Sequence, residues 1–175
     1  MQRIAIDMDE VVADTMARYL DIYNADFGLS LTREHFSGRR VMEVIDVAHV
    51  ARARTYFERE DFFSEIPVMP GSQEVVRELG EQYEIFITTA AMDVPCSFSA
   101  KFAWLKRHFP FVSPKRIVFC GDKSIIAADF MIDDDPKHFQ KFGGEGIVYT
   151  APHNVHERKY RRVDDWNDVR DMFLK

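Results

Sequence analysis

With 175 residues, 46% of them hydrophobic and 13% aromatic, the chain has the size and apolar content of one folded domain, which excludes general disorder. A net charge of −6, from 23 basic and 29 acidic residues, argues against a protein that binds a nucleic-acid polymer. No segment is long enough to cross a bilayer, strand-forming residues begin where a secretory leader would show basic and apolar regions, and Cys96 and Cys120 lack metal-ligand spacing, so no membrane is expected and a reducing cytoplasm is the expected setting.

The first element is the apolar run Ile4-Ala5-Ile6, which leads into Asp7-Met8-Asp9-Glu10. It is too short for a helix face and β-branched, so it reads as a buried strand. In open parallel sheets, ligands bind beyond the carboxyl ends of the strands, where two carboxylates could meet a hard cation and a phosphate. A strand followed by a solvated acidic turn would give the same pattern, and D-x-D alone does not separate the two.

Met16, Tyr19, Leu20, Tyr23 and Phe27 then recur at helical spacing, and Gly28 suits the C-terminal cap. Val41, Val44, Ile45, Ala48 and Ala51 keep helical spacing further on, and Tyr56 and Phe57 extend an apolar face. Gly38 and Pro67-Val68-Met69-Pro70-Gly71 punctuate this region. A helix is predicted over Ser72 to Leu79, and a second buried strand over Glu84-Ile85-Phe86-Ile87-Thr88-Thr89. Phe98, Phe102, Leu105 and Phe109 share one helical face; strands follow at Arg116 to Cys120, Asp129 to Asp133 and Gly146 to Thr150. The cluster His156 to Arg162 reads as a solvated loop, and Val169, Met172 and Phe173 mark a last helix.

Strands alternating with helices indicate an α/β fold with a parallel sheet in a three-layer, Rossmann-like core. Roughly 70 residues separate the first acidic loop from the second strand, against about 30 for a simple βαβ unit. The excess reads as a small helical cap inserted after the first strand, so that residues 15–64 form the cap and residues 1–14 and 65–175 the core.

Polar groups fall at the ends of the predicted strands. Thr88 and Thr89 could donate to phosphate, although threonines are common at strand ends. Lys101 could meet phosphate as a point charge, although an isolated lysine is usually solvated. Asp133-Asp134-Asp135-Pro136 places three carboxylates together, and a divalent cation shared with Asp7 would relieve their repulsion.

This constellation resembles the haloacid dehalogenase-like phosphohydrolases: Asp7-Met8-Asp9 resembles their first motif, Thr89 the second, Lys101 the third and Asp133-Asp134 the fourth. The nearer likeness is to the 5'(3')-deoxyribonucleotidases, through Asp7 to Asp14, Phe62 to Gly71, Lys101 to Phe109, Gly121 to Pro136 and Tyr149 to Asn154. Residues about 30–60 match weakly, Glu10 stands where glycine is usual, and Ala90-Ala91 replaces a frequent Ser-Pro.

The resemblance implies a magnesium-dependent phosphomonoesterase acting on deoxynucleoside monophosphates through an aspartyl-phosphate. It casts Asp7 as nucleophile and Asp9 as general acid and base, with Thr89, Lys101 and Lys123 on the phosphate. Asp7, the Asp9 carbonyl and Asp134 would hold Mg2+, and Asp133 would orient Lys101 or a metal-bound water, or ligate the metal itself. Asp14 and Asp135 read as cap or loop residues, and Phe36, Arg39, Arg40 and Val41 as candidate nucleoside contacts. Homodimerisation is compatible with these features. The alternatives are a phosphatase of the same superfamily for another small metabolite, and a binding protein that keeps the fold without turnover.

Overall fold

The first acidic run lies at the centre of a sheet. In the computed structural model, which describes residues 1–174 apart from the side chains of Glu60 and Asp93, the strands are β1 (Arg3–Asp7), β2 (Glu84–Thr89), β3 (Ile117–Phe119), β4 (Phe130–Asp133), β5 (Glu145–Tyr149) and β6 (Arg161–Val163). They pair in parallel in the order β3-β2-β1-β4-β5-β6. Ile6 lies between Ile87 of β2 and Ile132 of β4, and Asp7 is opposite Thr88. Chain order reverses on either side of β1, so its carboxyl end opens into a switch-point crevice. Alternation sends Ile4 and Ile6 into the larger apolar core, and Ala5 into a smaller cluster with Met131, Val148 and Phe139.

The helices are α1 (Thr15–Phe27), α2 (Val41–Val44), α3 (Val50–Arg54), α4 (Glu60–Ser64), α5 (Ser72–Leu79), α6 (Phe98–His108) and α7 (Trp166–Phe173). None is long and apolar enough to cross a membrane among the described residues. Helix α1 buries Met16, Tyr19, Leu20, Ile22 and Tyr23 and ends at Gly28, whose φ of +62° is the left-handed cap that glycine adopts without strain. The apolar spacing from Val41 to Ala51 does not produce one helix. Asp46 accepts a hydrogen bond from Ala48 N at 2.8 Å and starts a new turn there, dividing the segment into short pieces.

Two further differences have local causes. Helix α6 buries Lys101, Trp104 and Leu105, while Phe102 is 37% exposed. Trp104 Nε1 donates to the Ile66 carbonyl at 2.7 Å and Lys101 reaches Asp9, and these two bonds set the helix's rotation against the aromatic spacing. The basic cluster ends in the edge strand β6 instead of a loop; Arg161 is exposed there, and Arg162 turns back to Thr150, Asn154 and Glu157.

The loop after β1 is clamped from two directions. Asp14 N donates to Pro67 O at 2.8 Å and Met69 N to Val12 O at 2.9 Å, so the returning chain pairs with it. Trp166 Nε1 of α7 donates to Val11 O at 2.9 Å. Gly71 has a φ of +81°, and a Cβ there would stand 3.2 Å from the Trp166 Cβ.

Candidate active site

Asp7 leaves the end of β1 and accepts a hydrogen bond from Lys123 Nζ at 2.5 Å. The same ammonium donates at 2.6 Å to Asp133, at the end of the neighbouring β4. Lys123 is 1% exposed, so it is no surface turn residue. Asp133 also accepts from Asp135 N at 2.9 Å. Carboxylate oxygens of Asp7, Asp133 and Asp134 lie within 4.8 Å of one another. Burial pushes the Asp7 carboxyl up to about 7, against the pull of the Lys123 charge. Burial also raises Asp133, and raises Asp134 well above the ordinary range with the help of the charges of Asp133, Asp7 and Glu10. One ammonium therefore leaves this buried acidic group under-neutralised.

The second carboxylate of the D-x-D pair has a different partner. Asp9 accepts from Lys101 Nζ at 2.5 Å and from Thr89 Oγ1 at 3.3 Å, while Thr15 Oγ1 donates to its other oxygen at 3.1 Å. Lys101 Nζ also donates to Thr89 Oγ1 at 3.0 Å. Burial opposes ionisation of Asp9, but the Lys101 charge and these donors outweigh it and hold the carboxyl below its ordinary value. Thr88 is structural, donating to Ile6 O at 3.4 Å.

Glu10 has a φ of +58°, the region where a glycine carries no Cβ penalty. Its carboxylate turns back to accept from Met16 N at 2.5 Å and from Arg33 at 2.6 Å. Arg33 also donates at 2.5 Å to Asp14, the N-cap of α1. Burial raises the Glu10 carboxyl to about 7, against the Arg33 charge.

Two cavities meet over these groups. One of about 240 Å³ is lined by Asp7, Asp9, Lys101, Lys123 and Asp134, with Phe63, Ala90 and Ala91 in its wall. The other, of about 430 Å³, is lined by Met16, Tyr19, Val41, Met42 and Phe57, with Arg39, Arg40, Glu43 and His153 among its polar groups. Asp9, Thr15, Phe57 and Asp134 belong to both.

The family described as 5' nucleotidase, deoxy (pyrimidine), cytosolic type C matches residues 1–175. A 5'(3')-deoxyribonucleotidase of Bacillus subtilis is 34% identical over 177 residues, covering 98% of both chains. The chain belongs to this nucleotidase family. A Staphylococcus epidermidis protein provisionally named 5'(3')-deoxyribonucleotidase is 45% identical over 172 residues, or 98% of this chain and 96% of that one. Among solved structures, a haloacid dehalogenase-like hydrolase from Streptococcus pneumoniae aligns with a TM-score of 0.63 at 13% identity, covering 99% of this chain and 98% of that one. A Bacillus subtilis hydrolase of the same superfamily, solved with bound magnesium, gives 0.61 at 12% identity, with 99% of each chain covered. These two likenesses establish the fold.

In this nucleotidase fold, all the motif residues picked from sequence converge on one crevice, with two corrections. Asp133 is paired with Lys123, not with Lys101, because the latter is committed to Asp9 and Thr89. Phe36 is fully buried and lines neither cavity, whereas Arg39, Arg40 and Val41 do. Asp14 and Asp135 cap turns, and Arg40 reaches Asp135 at 3.1 Å. Met16, Tyr19, Phe57, Arg33 and His153 were not picked out as site residues. Helical spacing marked Met16 and Tyr19 only as core, and nothing local signals that the exposed-looking Arg33 pairs with Glu10.

Proposed function

We propose that the chain hydrolyses deoxynucleoside monophosphates at this crevice, with residues 15–64 acting as a cap over the core. The observation that carries the reading is the pair of joined cavities. The smaller is lined by acids and ammonium groups suited to a phosphate and its counter-ion. The larger has an apolar, aromatic wall with a few polar groups, which suits a nucleoside.

The donor set fits magnesium: two buried carboxylates and a half-buried third, all oxygen donors, carry more negative charge than Lys123 neutralises. Asp7, Asp134 and the Asp9 backbone carbonyl would hold it, and the ion would supply charge neutralisation for the phosphate. In the proposed reaction an Asp7 oxygen attacks phosphorus and the phosphorus–sugar oxygen bond breaks. Asp9 gives its proton to the departing oxygen, then takes one from the water that cleaves the aspartyl-phosphate. Asp9 must be protonated for the first step, yet Lys101 holds it ionised in the free site. A bound phosphate dianion adds negative charge beside Asp9 and draws Lys101 and Thr89 to its own oxygens. Substrate arrival thereby raises the Asp9 carboxyl when a proton donor is needed.

The test is a screen of purified protein with Mg2+. A pyrimidine deoxynucleotide such as dUMP should be hydrolysed with a higher kcat/KM than 2-deoxyribose 5-phosphate, because the base buries apolar area in the larger cavity. Sugar phosphates winning by tenfold would end the nucleotide reading and leave a phosphatase of another metabolite.

Metal binding should also depend on pH. Asp7 and Asp134 have folded-state values raised above their unfolded ones, so protons compete with the cation for the same oxygens at low pH. The rise in Tm on adding Mg2+ should therefore be larger at pH 8 than at pH 5.5, and should be lost in Asp134→Asn. An equal rise at both pH values would contradict this site.

A further inference from the structure

The last rung of the ladder between β4 and β5 pairs Asp133 with Val148. One residue further the ladder ends, beside the carbonyls of Asp134 and Tyr149. Asn154, 4% exposed, fills that place: its Nδ2 donates to Asp134 O at 2.7 Å and to Tyr149 O at 2.8 Å. Its Oδ1 accepts from Ala151 N at 3.2 Å and from Arg162 Nη1 at 2.9 Å. All the hydrogen-bonding capacity of the amide is used, and no other side chain of this size offers two donors and a doubly accepting oxygen. Arg162 fixes the amide's other end, donating also to Thr150 Oγ1 at 2.8 Å and to the carbonyls of Asn154 and Glu157 at 2.9 Å.

The consequence falls on Asp134. Asp7 and Asp133 are held by Lys123, and Asp133 also by Asp135 N. The Asp134 carboxylate has His153 Nε2 at 3.6 Å, and that nitrogen lies closer, at 3.2 Å, to the Asp134 carbonyl. Its direction is therefore set mainly by its backbone, and the backbone is set by the Asn154 amide. We propose that Asn154, backed by Arg162, is a positioning residue that aims Asp134 at a divalent cation shared with Asp7. This rests on the magnesium reading above. Groups that orient a ligand in this way typically govern about 10–100-fold in metal affinity.

The experiment titrates the full-length chain, free of substrate, with MgCl2 in a calorimeter. Asn154→Asp should weaken Mg2+ binding by at least about tenfold. The result discriminates, because the added negative charge alone would tighten it. Arg162→Gln, which leaves both Asn154 donors in place, should weaken binding about threefold, and it carries the test if Asn154→Asp does not fold. Arg158→Gln, an exposed arginine of the same loop, should bind as wild type. In turnover assays the KM for Mg2+ should rise in Asn154→Asp more than kcat falls. Folded Asn154→Asp and Arg162→Gln proteins with wild-type affinity would overturn the positioning role while leaving the metal reading intact. A wild-type protein that takes up no Mg2+ would overturn both.

Discussion

Replacing Asp7 with asparagine should remove turnover by at least about 10⁴-fold on every phosphomonoester, because the amide cannot form the covalent intermediate. The fold should survive. Asp7 is buried and its carboxyl is pushed up to about 7, so a neutral isostere carries no desolvation cost there, and Lys123 keeps Asp133 as a partner. Asp9→Asn should behave differently. Its loss falls on protonation of the leaving group, so an aryl phosphate, whose oxygen departs without help, should retain more activity than dUMP. Kinetics on both substrates, with circular dichroism of both variants, check the pair. Wild-type rates in Asp7→Asn would remove the nucleophile from the scheme, and equal losses in Asp9→Asn would remove the general acid.

Lys123→Met should give the largest loss of stability. The variant leaves Asp7 and Asp133 buried without their shared ammonium, and breaking a buried pair on one side costs about 3–5 kcal/mol. For a chain of this length that corresponds to a fall in Tm on the order of 10 °C in metal-free buffer. The sign of the pH dependence follows from the carboxyls. Their folded-state values lie above the unfolded ones and rise further without Lys123, so stability is kept below the ordinary carboxylate range and lost as pH rises. The deficit against wild type should therefore be larger at pH 8 than at pH 5, as denaturant titration at both will show. A deficit under about 1 kcal/mol at pH 8 would mean that Lys123 is not the group that neutralises this cluster.

Much of this was legible in the chain itself, and the reasons differ by element. The strand ends at Asp7, Thr89 and Asp133 announce themselves because a buried apolar run stopping at a polar group has few other readings. Lys101 was legible through its resemblance to the third motif, but its burial was not, since a lysine on a helix normally faces water. Between residues 15 and 64 the helical character was legible and the arrangement was not. Apart from α1, the helices there are four or five residues long, too short for periodicity to fix a face, and Phe36 ends a single 3-10 turn that buries it outside both cavities. Strand β6 escaped notice because an edge strand tolerates charge on both sides, and Arg161-Arg162 looks like a loop until the pairing partner is known. Asn154 gives no local signal of its work, which consists of bonds to carbonyls 5 and 20 positions away.

The central position of β1 also orders events during synthesis. Asp7 leaves the ribosome before β2 and β4, so β1 cannot be flanked on both sides until those two strands have been made. Lys123 follows Asp7 by 116 positions, and the Trp166 indole that ties down the loop carbonyl of Val11 follows it by 155. Such distant partners make closure of the crevice slow and late. A nascent chain therefore carries the Asp7 carboxylate without its buried ammonium partner until Lys123 has been made, and without the clamp on its loop until α7 docks.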